Sequence, residues 1–345
     1  MSKVEINISV VVPTYNRKKL LEKSLISLFK QTYSKSKYEI IVVDDGSTDN
    51  TKNMIKNLQQ DNKNLVYLQQ ENRGPAIAKN QGVLCSKGKI IVFIDSDCLV
   101  LKSFLEIVDT CFNRNLGIAA YVGSILLIPK NHFFLPLYKF CKMTEPQIKN
   151  DKIYDKPNPL APFYSGCGAI RKSVFKAIGG FNECFKWAGE DTDLGFRIMA
   201  AGYKICCSSK MAAFHHEKNF IREYIKGNYL FAIADTLNFK VHFKNWVVIM
   251  NSPQNIKVFI CPPFSILIRI DVVKVSLLLL LLSIAYPPLG ISLIVLYFLK
   301  HYVSLKKRGA SLKIFFLYML YKYSTGVPRL IGCVVGSVKN RVLYI

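Results

Sequence analysis

Between Ile8 and Ile94 the chain alternates short, continuous apolar runs with longer amphipathic segments. Ile8–Val12 is a run of β-branched residues with Ser9 as its one exception, and Glu39–Val43, Leu65–Gln69 and Lys89–Ile94 are similar short runs, so each is predicted as a strand. Lys18–Lys30 places Leu20, Leu21, Leu25, Leu28 and Phe29 at helical spacing; Thr48–Gln60 and Pro75–Ser86 are further helices. Strands without polar alternation are buried on both faces. Their regular exchange with helices predicts an α/β fold, a mainly parallel sheet with helices on both faces. Such sheets bind ligands beyond the carboxyl ends of their strands, here just after Val12, Val43, Gln69 and Ile94.

Past Asn131 the periodicity loosens. Pro136, Pro146, Pro157, Pro159 and Pro162 mark an irregular stretch that predicts a loop over the site. A compact block follows from Ser165 to His216, then a helix-like segment over 217–240. Val275–Leu299 holds no charge for 25 residues, includes six consecutive leucines, and is interrupted by Pro287-Pro288. That length predicts a membrane span, kinked or re-entrant. Leu312–Val338 carries Lys313, Lys322 and Arg329 and reads as a poor span or an interfacial helix. The expected organisation is a catalytic domain over 1–240, an amphipathic connector over 241–274, and membrane-associated helices over 275–345.

Charge sharpens this division. Lys and Arg number 47 against 23 Asp and Glu, a formal +24. Residues 236–345 carry 14 basic residues and one acid, Asp271. A basic tail beside apolar segments predicts anchoring to an anionic cytoplasmic leaflet. Nucleic acid would also attract such charge, but no nucleic-acid-binding motif is present and none is expected as a partner. The ten cysteines include no Cys-x-x-Cys pair, against a structural zinc site. With no secretory signal at Met1–Asn7, a reduced, cytosolic setting is expected for the catalytic part.

Three acidic clusters stand against the basic background. Asp44-Asp45-Gly46-Ser47 ends the second strand; Asp45 there reaches for a ribose or base edge unless the segment merely turns and caps the next helix. Asp95-Ser96-Asp97 ends the fourth strand. In an extended segment residues i and i+2 point the same way, so both carboxylates face one ligand and suit Mg²⁺ or Mn²⁺ with a diphosphate. Glu190-Asp191-Thr192-Asp193 precedes a helix-like segment and offers a general base, or simply a cap. His215-His216, after the apolar run Met211–Phe214, adds a further metal ligand or a structural pair.

Taken in order, Ser9–Asn16, Ile41–Asp49, Asn72–Ala76 with Lys79-Asn80, Phe93–Cys98, Ser165–Arg171, Ile178–Phe181 and Gly189–Arg197 resemble the family-2 glycosyltransferases. The likeness covers about residues 7–235. It implies the GT-A fold, Rossmann-like with a mainly parallel sheet, and an inverting single displacement on a nucleotide-diphosphate sugar. By position, Pro13, Thr14, Tyr15 and Asn16 would flank the nucleotide, and Asp45 would bond the base. Asp95 and Ser96 would contact the donor, Asp97 the metal with Asp95, and His215 would be a further metal ligand. Asp191 matches the base position, with Glu190 beside it. Many relatives have Arg where this chain has Lys79, so donor contacts from that position are less firmly implied.

The resemblance also bears on substrates. Processive members share a Gln-x-x-Arg-Trp motif that neither Trp187 nor Trp246 carries, so one sugar per binding event is expected. The expected partners are a nucleotide-diphosphate sugar, a lipid-linked or cell-surface glycan acceptor, and membrane lipids, with acceptor residues in 131–164 and 217–240. The competing readings are a polyprenyl-phosphate sugar synthase and a non-catalytic nucleotide-sugar binding module. Oligomeric state and sugar identity carry no sequence signal.

Overall fold

The computed structural model describes residues 5–128, 150–156, 163–216, 221–242, 246–252, 255–260, 266–269, 272–340 and 343–344. The chain forms two compact units, residues 1–128 with 148–216, and residues 129–147 with 217–345.

The first unit is built on strands β1 Ile8–Thr14, β2 Tyr38–Asp44, β3 Leu65–Gln69, β4 Ile90–Ile94, β5 Cys98–Val100, β6 Ile118–Ile128, β7 Lys152–Tyr154, β8 Cys167–Arg171 and β9 Lys204–His216. Its helices are α1 Lys18–Phe29, α2 Thr51–Asp61, α3 Pro75–Cys85, α4 Phe104–Arg114, α5 Lys172–Ala177 and α6 Glu190–Ala200. The sheet order is β3-β2-β1-β4-β8-β6-β9-β5, with β7 on β9. Pairing is parallel from β3 to β4. Beyond β4 the sheet is mixed: β8 is antiparallel to β4 and β6, β6 is parallel to β9, and β5 and β7 run antiparallel to β9. The mainly parallel sheet expected from sequence therefore holds only for its first half. The change comes at β8, which enters between β4 and β6 and runs antiparallel to both.

Alternate side chains of each strand enter two different cores. Val10 and Val12 of β1 pack with Leu21, Leu25, Val108 and Phe112 on one face. Val11 packs with Ala78, Phe93, Phe175 and Phe181 on the other. Burial on both sides is the reason these strands read as continuous apolar runs. On the second face α3 comes close because of Gly82: a Cβ there would lie 2.4 Å from Val11 Cγ1.

The second unit contains α7 Ile221–His242, β10 Trp246–Ser252, β11 Asn255–Ile260, β12 Ile266–Arg269, α8 Val272–Ala285, α9 Pro287–Lys307, α10 Leu312–Asn340 and β13 Leu343–Tyr344. Its strands form a sheet of order β11-β10-β12-β13. The stretch 241–274, expected as an amphipathic connector, thus carries three strands. Helices α7 and α10 pack backbone to backbone at Gly332 and Gly336, where a Cβ would lie 2.5 Å from the Tyr229 carbonyl oxygen and 2.5 Å from Thr236 Oγ1. Small residues four apart open such a seam. Asn340 Nδ2 donates to Thr236 Oγ1 at 2.7 Å, and Arg329 pairs with Asp235.

The membrane span expected over Val275–Leu299 is not found. The segment is divided at Tyr286 into α8, 14 residues long, and α9, 21 residues long. Pro287 lacks an N–H and clashes with the preceding turn, so it starts a helix more readily than it continues one. At 1.5 Å per residue α8 reaches about 21 Å, short of an apolar layer of about 30 Å. Helix α9 takes in Lys300, Lys306 and Lys307. Among the described residues no helix is long and apolar enough to cross a membrane. The apolar residues are exposed instead, Leu278, Leu281, Ile284, Leu289 and Leu296 among them.

Candidate functional site

The site lies at the carboxyl ends of β1, β2 and β4. After Ile94 the chain does not stay extended: Cys98 N–H donates to the Asp95 carbonyl at 2.9 Å, closing a four-residue turn. The two carboxylates converge through that turn, not through strand alternation as expected. The turn also brings Cys98 beside Asp95 and delivers it to β9, where it pairs with His215. The His216 N–H to Asp97 carbonyl bond, at 2.9 Å, fixes this end. One ligand atom from each of Asp95, Asp97, Cys98 and His215 lies within 4.8 Å of the others.

The resemblance implies a divalent cation, and these residues fit one. Two carboxylates and an imidazole suit Mg²⁺ or Mn²⁺ with further positions for water or phosphate. Asp97 Oδ1 and His215 Nδ1 are buried without a hydrogen-bond partner among the described residues. The nearest cationic group to Asp97 Oδ1 is His215 Nε2 at 3.2 Å. Arg17 pairs with Asp97 Oδ2. Burial tends to raise Asp97, but His215 and Arg17 outweigh it and hold the carboxyl below its ordinary range. His215 is raised by Asp97, against the opposing effect of burial. Asp95 is pushed up to about 6 by burial, with Lys79 acting in the opposite sense.

A second group forms around Lys79 of α3, which is 3% exposed. Its ammonium donates to Glu190 Oε1 at 2.8 Å and Asp191 Oδ1 at 3.3 Å, and to Ser165 Oγ. Burial acts to lower this lysine, and the charges of Asp191, Glu190 and Asp95 reverse that and raise it. Asp191 Oδ2 accepts from Ser165 N–H at 2.9 Å and from its hydroxyl at 3.1 Å. Gly166 is the link between the two groups, since a Cβ there would lie 2.9 Å from Asp95 Oδ2. Glu190 and Asp191 occupy the first turn of α6, entered through Gly189 at φ +96°. Glu190 is buried against Lys79, whereas the Asp191 side chain is 25% exposed.

The remaining candidates divide between open and committed positions. Thr14 is buried and its hydroxyl has no hydrogen-bond partner among the described residues. Pro13 precedes it at the end of β1, Tyr15 is about half exposed, and Ser96 is buried within the turn. Asn16, at φ +50°, accepts from Thr48 N–H at 2.8 Å and donates its own N–H to Ser47 Oγ at 2.9 Å. Ser47 and Thr48 therefore brace the Asn16 loop and do not cap α2; that helix begins at Thr51 behind Asn50 in a left-handed conformation. Asp44 is also committed, accepting from Ser47 N–H and Tyr67 Oη. Asp45 clamps the neighbouring loop, accepting from Gln70 Nε2 at 2.7 Å and from the Arg73 and Gly74 N–H groups at 2.9 Å each. A base contact from Asp45 would be an added bond. Of the expected acceptor segments, residues 129–149, 157–162 and 217–220 lie outside the described residues.

Four residues of this site were not singled out by sequence reasoning. Arg17 follows the Ser9–Asn16 motif, Ser165 and Gly166 open the Ser165–Arg171 motif, and Cys98 closes Phe93–Cys98. Pairing of β5 with β9 is the signal that would have found Cys98, and it is a long-range one.

A sheet that is parallel through β4 and mixed beyond it, with an Asp-x-Asp turn at the end of β4, defines a glycosyltransferase-like site. Residues 9–179 match the sequence model of Glycosyl transferase family 2, and residues 148–219 match that described as the N-terminal domain of galactosyltransferase. Over residues 9–179 the chain is thus similar to the family-2 glycosyltransferases.

Among curated relatives, the validoxylamine A glucosyltransferase of Streptomyces hygroscopicus subsp. limoneus is 26% identical over 225 residues, 58% of this chain and 49% of that protein. The GalNAc(5)-diNAcBac-PP-undecaprenol beta-1,3-glucosyltransferase of Campylobacter jejuni is 37% identical over 123 residues, 35% of this chain and 38% of that protein. The chain thus spans about half the length, or less, of these relatives. Among solved structures, the mannosyltransferase PcManGT of Pyrobaculum calidifontis, in complex with GDP-Man and Mn²⁺, superposes with a TM-score of 0.57 at 20% identity, over 98% of this chain and 87% of that one. That likeness concerns the fold.

Proposed function

We propose that the protein is a nucleotide-diphosphate-sugar-dependent, inverting glycosyltransferase that moves one sugar to a hydroxyl of a lipid-linked or cell-surface glycan. The observation that carries this reading is the Ser165-Gly166 segment. It hydrogen-bonds Asp191 on one side and abuts Asp95 on the other, so a proton acceptor and a diphosphate-binding turn face one space.

Asp191, the more open of the two helix-start carboxylates, takes the proton of the acceptor hydroxyl. The hydroxyl oxygen attacks the anomeric carbon as its bond to the diphosphate breaks, through a transition state of oxocarbenium character. Glu190 and Lys79 hold Asp191 in place from behind. Pro13, Thr14, Tyr15, Asn16 and Asp45 line the nucleotide side, with the Thr14 hydroxyl available to a ligand. Asp95, Asp97 and His215 would hold Mg²⁺ or Mn²⁺, which would supply charge neutralisation on the departing diphosphate.

The acceptor and the location belong to the same reading. The exposed leucines of α8 and α9, with Lys300, Lys306, Lys307 and Arg308 beside them and no acid nearby, suit seating in the interface of an anionic membrane without crossing it. An acceptor on a lipid carrier would then be met at the cytoplasmic face; the Campylobacter relative is named for an undecaprenol-linked substrate.

The test is nucleotide release from a panel of nucleotide sugars with Mg²⁺ or Mn²⁺, with and without lipid-linked acceptors. Metal-dependent release lowered by about 10²–10⁴-fold in Asp191→Asn is expected. No release from any donor, or full activity in Asp191→Asn, would overturn the assignment.

A further inference from the structure

Cys98 has no part in the transfer chemistry, yet its sulfur sits with the carboxylates and imidazole of the metal-binding turn. The register explains this. Cys98 stands opposite His215 across the β5–β9 pair, and side chains directly opposite share a face. The Asp95–Cys98 turn folds the same residue back onto Asp95. Sγ, the imidazole and one oxygen from each of Asp95 and Asp97 all fall within 4.8 Å of one another. In a tetrahedral site with bonds of about 2.0–2.3 Å, donors stand about 3.3–3.8 Å apart, so small rotations of these side chains suffice. Asp97 Oδ1 lies 3.2 Å from His215 Nε2, and His215 Nδ1 is buried without a hydrogen-bond partner among the described residues, so polar groups are already in place for a cation.

We propose that Cys98 is a fourth donor, which turns the Asp95–Asp97–His215 site into a closed, mixed oxygen–nitrogen–sulfur site for a soft divalent cation such as Zn²⁺. Hard cations gain little from sulfur and would use the carboxylates, imidazole and water. A soft cation recruits the thiol: the Sγ–H bond breaks, the proton passes to solvent, and an Sγ–metal bond forms. Four protein donors then fill the tetrahedron and leave no position for a diphosphate. Zinc would therefore compete with the activating cation and act as an inhibitor. Arg17, with its half-exposed side chain, swings off Asp97 as either cation enters. The inference rests on the same site as the proposed function, but it can be read without any transfer activity.

The probe is Co²⁺ added to the full-length, chelator-treated protein. Expected are intense tetrahedral d–d bands and a near-ultraviolet thiolate-to-cobalt charge-transfer band, both abolished by one equivalent of Zn²⁺ and unaffected by Mg²⁺. Cys98→Ser and Cys98→Ala should lose the charge-transfer band and bind Zn²⁺ about 10–100-fold more weakly, while Mn²⁺ affinity changes far less. A missing band in the wild type would overturn the proposal, as would a band that survives in both variants. Should both fail to fold, His215→Gln carries the test: weakened tetrahedral bands support the shared site, and an unchanged spectrum sinks it. A charge-transfer band without donor turnover would retain this site and remove the proposed function; the reverse outcome would do the opposite.

Discussion

The two units solve burial in opposite ways. In the first, apolar residues enter a sheet covered on both faces, and the polar groups that remain inside are tied into pairs: Lys79 with Glu190, Asp45 with its loop, Ser9 with Glu39 at 2.7 Å. In the second, the closest packing is between helix backbones, at the glycines of α10, and large apolar side chains of α8 and α9 face outward. A single sheet can bury nearly everything it carries because both its faces are covered. Three consecutive helices rich in leucine and isoleucine have more apolar surface than their mutual seams can take up. The first design yields a rigid place for charged chemistry, and the second leaves a surface that suits an apolar or interfacial environment.

This contrast can be broken by substitution. The largest effect should come from the charged interior of the first unit. Asp97→Asn should reduce metal-dependent nucleotide release by about 10²–10⁴-fold, with a smaller loss in thermal unfolding from the weakened pairs with Arg17 and His215. Lys79→Met should cost about 3–5 kcal/mol in denaturant unfolding, since it strands Glu190 and Asp191 without their cation. If the variant were as stable as the wild type, the buried pair would not be holding α6.

In the second unit, Gly336→Val should drive a side chain into Thr236 and cost about 1–3 kcal/mol. Circular dichroism should show the loss in helical signal, with donor binding by the first unit retained. A smaller effect is set by protonation. Asp95 in the fold holds its proton up to about pH 6, above an ordinary carboxylate. That preference favours the folded state below the ordinary value and is withdrawn as pH rises from about 4 to about 6. A cation must displace this proton and that of His215, which Asp97 raises above its ordinary value, so Mn²⁺ affinity measured calorimetrically should climb with pH through about 6 and keep climbing until the imidazole is neutral. Smallest in stability, within about 0.5 kcal/mol, should be Leu281→Ser with Ile284→Ser on the exposed face of α8. Binding to anionic vesicles should fall in that variant; unchanged binding would separate the apolar face from membranes altogether.

Much of this was legible in the residues themselves. The runs at Ile8–Val12 and Lys89–Ile94 announced strands buried on both faces, and Asp95 with Asp97 announced two carboxylates brought together at a strand end. Local patterns carry such information because burial and turns are local. The antiparallel entry of β8 between β4 and β6 was not legible, for it depends on pairings such as Ile94 with Cys167 and Val122 with Gly168, far apart along the chain. Nor was the behaviour of Asp45 and Lys79, whose partners sit on distant loops and helices. The apolar length of Val275–Leu299 predicted a kinked or re-entrant span; its prolines were legible, but the sequence did not show that the helix would end there and leave α8 too short to cross.

The ion pair between Arg17 and Asp97 has a thermodynamic consequence. A cation entering this turn would do so by exchange, one positive group for another, so part of its intrinsic affinity would be spent on detaching a guanidinium. Any anion that draws Arg17 away removes that competition and strengthens cation binding. Linkage then requires the reverse by the same factor: the cation, once seated, strengthens binding of that anion. Two ligands bound in this corner would behave as a cooperative pair through a single side chain, without any movement of the sheet.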